Sequence, residues 1–176
     1  MKRAIFLDRD GVINRKPPEG QYIVRWQDMQ LLPGVAEAIR LLTKAGFCVL
    51  TVSNQRCVAK GLLTAAELET IHTRMCDELA AVGAVISGVY YCPHEKEPPC
   101  ACRKPATGML LTAARQHEID LAASWMIGDK NIDIEAGRNA GCRTARIAGG
   151  DELENDTADI RAPSLLDATH QILRQN

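Results

Sequence analysis

Six polar residues of this sequence are of the types that carry out chemistry on phosphate esters, and most of them directly follow a short apolar run. They are Asp8, Asp10, Ser53, Lys104, Asp129 and Asp133. Taken singly, each favours an ordinary interpretation, because an Asp-x-Asp pair is more often a turn and a single lysine is usually a solvated charge. Together they offer a nucleophile, a proton donor, ligands for a divalent cation and a positive charge. No structural role explains the whole set equally well.

Phosphoryl transfer is the reaction that this combination predicts. A phosphomonoester dianion repels an attacking carboxylate, so a cation has to lie between them, and Asp8 and Asp129 can offer hard oxygen ligands to Mg²⁺. Asp8 can then attack phosphorus and form an acyl phosphate. Asp10 is close enough to protonate the leaving alkoxide and later to deprotonate the hydrolytic water. Lys104 and Ser53 would hold the transferring oxygens as charge develops on them.

A second group of possible metal ligands lies within the eleven positions from 92 to 102. The four ligands are Cys92, His94, Cys100 and Cys102. Three thiolates and an imidazole in a tetrahedral set select Zn²⁺. The alternative, buried cysteines beside a surface histidine, is harder to sustain because residues 95–99 are too polar to form a buried element. We therefore predict a structural zinc loop at residues 92–102, which also positions Arg103 and Lys104.

Alternating apolar and amphipathic stretches predict the elements that must position these residues. Strands are predicted near residues 4–7, 47–52, 89–91, 125–128 and 144–147, and helices near 34–45, 64–82, 108–117, 132–140 and after Ser164. This alternation predicts a Rossmann-like α/β fold, a three-layer sandwich with a central parallel sheet. Ligands bind beyond the carboxyl ends of such strands, where most of the polar set falls. His72, His117 and His170 are expected on solvated helix surfaces.

The composition and net charge of the chain disfavour several other classes of function. The net charge of −1 gives no field that favours nucleic acid or a membrane surface. Neither a signal peptide nor a membrane-spanning run is present in the sequence, so we expect a cytoplasmic protein. Seven cysteines in a reducing compartment favour metal binding or burial over disulfides. We expect one domain over residues 1–176, acting as a monomer on a small substrate.

The chain resembles the haloacid dehalogenase (HAD) superfamily in four motifs. They are Asp8-Arg9-Asp10-Gly11-Val12, Ser53, Lys104, and Gly128-Asp129 with Asp133. The resemblance implies that Asp8 is the nucleophile and a Mg²⁺ ligand. It also implies that Asp10 is the general acid/base and binds the metal through its backbone carbonyl. Asp129 would be the third protein ligand, and Asp133 would orient the neighbouring groups.

Many members of this superfamily carry a cap domain between the first three motifs. Here 42 residues separate Asp10 from Ser53, and 50 separate Ser53 from Lys104. Core helices, a strand and the zinc loop take up both intervals. We therefore expect no cap domain, and we expect loop cations to select the substrate.

Cys92-Pro93-His94 and Cys102-Arg103-Lys104-Pro105 resemble one subgroup of the superfamily, the sugar-bisphosphate phosphatases that act on a heptose 1,7-bisphosphate. This resemblance implies removal of the phosphate at carbon 7, on the way to heptose precursors of lipopolysaccharide or surface glycans. Substrate contacts are then expected from Ser53, Asn54, Arg56, Arg103, Lys104 and Lys130. The chain departs from this pattern at two places. Ser53 stands where threonine is usual, a mild change that keeps the hydroxyl, and Arg56-Cys57 stands where Ser-Gly is common, which is expected to alter the substrate pocket.

Other functions remain open at this point. The near relatives of the subgroup include histidinol-phosphate phosphatase domains, which would make the substrate an amino-alcohol phosphate. A phosphatase for nucleic acid 3′ ends is disfavoured because no basic groove is evident. A receiver domain also uses carboxylates and a lysine at strand ends, but a long-lived phosphoaspartate needs no acid/base such as Asp10. A purely structural zinc module leaves the aspartates unexplained.

Overall fold

The computed structural model describes residues 1–148 and 157–175. Its strands are β1 (Arg3–Leu7), β2 (Phe47–Asn54), β3 (Gly88–Cys92), β4 (Trp125–Gly128), β5 (Arg143–Ile147) and β6 (Ile160–Ala162). Its helices are α1 (Val35–Lys44), α2 (Ala65–Ala80), α3 (Gly108–His117), α4 (Asn131–Asn139) and α5 (Leu165–Arg174), with a short 3₁₀ helix at Trp26–Asp28. Within the described residues these strands form one sheet in the order β3-β2-β1-β4-β5-β6, and every neighbouring pair is parallel.

Strand β1 lies in the middle of the sheet and is covered on both faces. Ile5 and Leu7 pack into a core cluster with residues of α1, α2 and α5. Ala4 and Phe6, which point the other way, pack with residues of α3 and α4. Successive side chains of a strand alternate between faces, and an all-apolar run is typical of a parallel strand buried on both sides. The predicted three-layer α/β sandwich is therefore confirmed.

The predicted elements are all present, with differences at their ends. Strand β2 continues two residues beyond the predicted limit, because Ser53 and Asn54 still pair with β3. Helix α2 ends at Ala80, before the predicted limit near Val82, which is 51% exposed instead of buried. Strand β6, which has only three residues and is the sixth strand in the order, is not predicted from the sequence.

Helices α2 and α5 begin where the sequence predicts, and each has a side-chain cap at its start. In α2, Thr64 Oγ1 accepts a hydrogen bond from the Glu67 backbone N–H at 3.2 Å, and Glu67 Oε2 accepts one from the Thr64 N–H at 2.7 Å. This reciprocal pair satisfies two donors that the helix itself leaves unpaired. In α5, Ser164 Oγ accepts from the Asp167 N–H at 3.2 Å.

The expectation that His72 is solvated is wrong. Helix α2 turns this residue inward, next to Ile71 and Met75 of the apolar face, and leaves it only 4% exposed. Its ring centroid lies 5.6 Å from that of Tyr91, on β3. His117 is also partly buried and lies 3.1 Å from the hydroxyl of Tyr90, whereas His170 is exposed as expected.

The segments between the first three motifs are filled by elements of the core. Residues 11–52 contain the 3₁₀ helix, α1 and most of β2, and residues 54–103 contain α2, β3 and the zinc loop. No cap domain stands over the sheet in the part of the chain that is described. The prediction of a single domain also covers residues 149–156 and 176, which lie outside the described ranges. None of the described helices combines the length and the apolar character needed to span a bilayer.

Candidate active site

The site forms at the carboxyl ends of three adjacent strands. β1 lies between β2 and β4, so Asp8, Ser53 and Asp129 are brought to one edge of the sheet. The chain passes from β1 to β2 on one side and returns to β4 on the other, which makes this edge the point where the strand order reverses. Ligands bind at such points in open α/β sheets. The structure therefore brings the motif residues together at one edge of the sheet, as the sequence predicts.

Lys104 links two of the carboxylates at this edge. Its Nζ lies 2.8 Å from Asp8 Oδ1 and 2.7 Å from Asp133 Oδ1, and it donates to the Val52 carbonyl at 2.8 Å. The side chain is only 1% exposed. Burial by itself lowers the pKa of a lysine, but the carboxylates of Asp133 and Asp8 more than offset this and raise the pKa of Lys104 above its ordinary value. A buried, permanent positive charge therefore lies against Asp8.

Asp8, Asp129 and Asp133 form a compact acidic cluster, with one oxygen from each within 4.8 Å of the others. Burial raises the pKa of Asp129, against the effect of Lys16, whose Nζ lies 2.8 Å from Asp129 Oδ2. Burial also raises the pKa of Asp133 to about 6, against the effect of Lys104. The other oxygen of Asp129, Oδ1, is buried and has no hydrogen-bond partner among the described residues. A divalent cation would fit such a set of hard oxygen donors.

Two glycines allow the carboxylates to approach the backbone this closely. Gly11 has a φ of +93°, and a Cβ placed on it would lie 2.7 Å from Asp129 Oδ2. A Cβ on Gly128 would lie 2.1 Å from the Cβ of Asp133. Asp133 in turn accepts a hydrogen bond from the Lys130 backbone N–H at 3.0 Å and so begins α4. The two motif glycines are therefore required by packing at the site itself.

Asp10 is held by three side chains that the sequence analysis does not identify as site residues. Arg9 donates to both carboxylate oxygens from Nη2 at 3.0 Å, and from Nε to Oδ1 at 3.1 Å. Asn14 donates to Oδ1 at 2.9 Å, and Gln55 to Oδ2 at 3.3 Å. The Asp10 side chain is still 21% exposed, so its carboxyl group is fixed yet open to a ligand.

Gln55 also connects Asp10 to Ser53. Its Nε2 donates to Ser53 Oγ at 2.8 Å, and its Oε1 lies 3.6 Å from the thiol of Cys57. Cys57 is fully buried, and burial raises the pKa of its thiol. The proximity of Gln55 to Ser53 in the sequence is the one signal that could have indicated its place in the site.

The residues predicted to bind substrate lie in different environments. Asn54 hydrogen-bonds the backbone of Lys104 at both ends of its amide, each at 3.0 Å. These two residues and Arg103 line a cavity of about 490 Å³. Arg103 also donates to the His94 carbonyl at 3.0 Å, and Arg56 forms an ion pair with Glu95 of the zinc loop. Lys130 caps α4 through its backbone.

The zinc loop brings its four predicted ligands together. Cys92 Sγ lies 3.5 Å from both Cys100 Sγ and His94 Nδ1, and Cys102 Sγ lies 3.5 Å from Cys100 Sγ and 3.2 Å from His94 Nδ1. All seven cysteines are free, so no disulfide holds this cluster. Sulfur ligands of a tetrahedral zinc ion lie about 3.8 Å apart. The four side chains are therefore arranged closely enough to bind a metal ion.

Known proteins resemble this chain in sequence and in structure. The HAD-hydrolase-like family model matches residues 101–169. D-glycero-D-manno-heptose-1,7-bisphosphate 7-phosphatase of Thermosynechococcus vestitus is 44% identical over 79% of this chain and 75% of its own. D-glycero-beta-D-manno-heptose-1,7-bisphosphate 7-phosphatase of Escherichia coli is 39% identical over 98% of this chain and 94% of its own. The crystal structure of D,D-heptose 1,7-bisphosphate phosphatase from B. bronchiseptica, complexed with magnesium and phosphate, matches with a TM-score of 0.88 at 33% identity and covers 99% of both chains.

The parallel sheet, the acidic cluster at its edge and the matched family model define a hydrolase of the HAD superfamily. Within it, the chain belongs to the heptose 1,7-bisphosphate 7-phosphatase family, as do relatives that it matches over three quarters or more of their length. The resemblance found in the motifs is thereby confirmed at the level of fold, superfamily and enzyme class.

Proposed function

We propose that this chain is a Mg²⁺-dependent phosphatase that removes the phosphate at carbon 7 of D-glycero-D-manno-heptose 1,7-bisphosphate. The observation that carries the proposal is the buried cluster in which Lys104 contacts Asp8 and Asp133 beside Asp129. Relatives that carry the name of this activity, at about 40% identity, support the choice of substrate. The product would enter the synthesis of heptose precursors for lipopolysaccharide or surface glycans.

The donor set at the strand edge supports Mg²⁺ as the metal. Asp8 and Asp129 would bind it through their side chains and Asp10 through its backbone carbonyl. The buried Oδ1 of Asp129, without a hydrogen-bond partner among the described residues, is an available hard ligand. When bound, Mg²⁺ would neutralise the repulsion between a carboxylate and a phosphate dianion.

The side chains then divide the reaction into two transfers. A carboxylate oxygen of Asp8 attacks phosphorus, the bond from phosphorus to the sugar oxygen breaks, and Asp10 gives its proton to the departing alkoxide. Asp10 next takes a proton from water, which attacks the aspartyl phosphate and releases inorganic phosphate. Lys104 and the Ser53 hydroxyl hold the phosphoryl oxygens in both transfers. Asp133 keeps Lys104 in place through their 2.7 Å contact.

A Zn²⁺ ion at the zinc loop would have a structural role and no catalytic one. Its ligands would be Cys92, His94, Cys100 and Cys102. Cys102 directly precedes Arg103 and Lys104, and Arg103 donates to the carbonyl of His94 within the same loop. Fixing the loop would therefore fix the positions of both cations, which line the cavity. We assign substrate contacts to Arg103, Lys104 and Asn54, which line that cavity. We also assign them to Arg56 and Lys130.

We further propose that the enzyme is a monomer in the cytoplasm and that its substrate is a small, diffusible molecule. The net charge of −1 supports a small phosphorylated partner over nucleic acid or a membrane surface. Analytical ultracentrifugation of the purified chain tests the monomer.

A phosphate-release assay tests the substrate. Both anomers of heptose 1,7-bisphosphate are compared with histidinol phosphate, in the presence and absence of Mg²⁺. We expect the highest kcat/KM on one heptose anomer, and we expect Asp8→Asn and Asp10→Asn to abolish release. Equal or faster turnover of histidinol phosphate would move the assignment to an amino-alcohol phosphatase. A stable phosphoprotein without phosphate release would instead indicate a receiver.

A further inference from the structure

His72 is a buried titratable side chain on α2 that takes no part in the proposed proton or phosphoryl transfers. Its Nε2 lies 3.0 Å from Nη1 of Arg9, and both residues are buried, with exposures of 4% and 0%. The remaining face of the same guanidinium is turned to Asp10, which it contacts through Nη2 and Nε. One rigid, planar group thus connects a buried histidine to the proposed acid/base.

The chemistry of the two partners fixes the direction of the first hydrogen bond. A guanidinium only donates, so Nε2 of His72 has to accept, and the proton of the neutral ring is on Nδ1. Burial, with a smaller contribution from the charge of Arg9, lowers the pKa of His72 to about 3. The ring therefore keeps a lone pair directed at Arg9 under all ordinary conditions.

We propose that His72 is a positioning residue, which holds the guanidinium of Arg9 in one orientation and through it orients the Asp10 carboxylate toward the leaving alkoxide. The proposal rests on the proposed function, because it needs Asp10 to act as the general acid. Arg9 cannot turn about its own axis without losing either the bond to His72 or the paired bonds to Asp10. Asn14 and Gln55 contact Asp10 as well, but neither binds both carboxylate oxygens.

An apolar side chain of similar size at position 72 could fill the same space. It would leave a charged N–H of Arg9 buried without an acceptor, and Arg9 would then turn to find one. The hydrogen-bond acceptor, and not the volume of His72, is therefore the property that matters. Glutamine and methionine are close in length and shape and differ in this property, so they form a matched pair of replacements.

The test uses His72→Gln and His72→Met in the full-length protein with Mg²⁺. Burst kinetics measure the first transfer on the sugar phosphate, whose alkoxide needs a proton, and on p-nitrophenyl phosphate, whose leaving group does not. We expect His72→Met to slow the burst on the sugar phosphate by roughly 10- to 100-fold, a part of the full effect of a general acid. The burst on p-nitrophenyl phosphate and the KM values should change little, and His72→Gln should restore most of the rate.

Equal losses on the two substrates, or a glutamine variant as slow as the methionine variant, would overturn the proposal. If the wild-type chain releases no phosphate from either substrate, the proposed function fails along with it. If the wild type is active and His72→Met matches it, only the role of His72 fails.

A measurement on the wild type keeps the proposal testable even if the methionine variant does not fold. Nitrogen-15 NMR of the histidine rings should find His72 neutral at pH 7, with its proton on Nδ1. A ring protonated on Nε2 could not accept from Arg9 and would contradict the proposal.

Discussion

Lys104 supplies the buried positive charge that lies between Asp8 and Asp133 at the site. Replacing it with alanine leaves Asp8 and Asp133 buried without their shared cation and removes a positive charge from the phosphoryl oxygens. We expect Lys104→Ala to lower kcat/KM on the sugar bisphosphate by roughly 10²- to 10³-fold, as loss of one charge-stabilising donor typically does. Lys44→Ala, at an exposed position of α1, is the control. A rate near that of the wild type would remove Lys104 from the mechanism.

The burial of His72 also predicts how the stability of the fold depends on pH. Its pKa is about 3 in the folded state and near its ordinary value of 6.5 in the unfolded chain. The unfolded state therefore binds more protons below pH 6.5, and stability is lost as the pH falls through this window. The loss should reach about 2 kcal/mol between pH 8 and pH 5. Urea unfolding measures it, and in His72→Gln this part of the pH dependence should be absent.

At the scale of single residues, the sequence predicts only some of the side chains that form the site, for a physical reason. Asp8, Ser53 and Asp129 could be placed together because each lies at or just after a strand end, and parallel strand ends meet at one edge. The contact between Arg9 and His72 could not be predicted, since it depends on how α2 is rotated about its axis. Apolar spacing gives that rotation only approximately, and a histidine next to the apolar face can point either way.

The zinc loop directly precedes Arg103 and Lys104, two cations that line the cavity. We expect Cys100→Ser to lose bound zinc, measured by elemental analysis. We also expect kcat/KM to fall by roughly 10- to 100-fold, because small displacements of positioned groups have effects of that size. Cys76→Ser, which changes a cysteine outside the cluster, should keep both zinc and activity. Unchanged kinetics in zinc-free protein would contradict the link between the loop and the active site.

The elements themselves were largely predictable from local patterns. Strands β1 and β4 are apolar runs, and α2 carries a capping box, so local signals and tertiary packing agree there. The sequence gives less warning of β6 and of the true end of α2. A three-residue strand has too few positions to establish a pattern, and Val82 matches the apolar spacing of α2 although the chain turns away before it.

At the scale of the whole molecule, metal binding should add to stability. A ligand that binds only the folded state stabilises it by about 2.7 kcal/mol at a concentration of 100 times Kd. We therefore expect Mg²⁺ to raise the melting temperature of the wild type, and Asp129→Asn to abolish most of that rise. Asp77→Asn, at an exposed position of α2, should respond to Mg²⁺ like the wild type. An equal response of all three proteins would place the bound Mg²⁺ elsewhere.

The ion pair between Lys16 and Asp129 bears on whether this protein can fold before it binds a metal ion. Three carboxylates crowded into the interior would repel one another, but Lys104 and Lys16 supply two compensating charges before any metal arrives. The polypeptide can thus reach its native shape unloaded, with one excess negative charge left to attract a divalent ion. A shortage of Mg²⁺ would then inactivate the enzyme reversibly. The chain would stay folded and would not be degraded by the proteases that act on unfolded proteins.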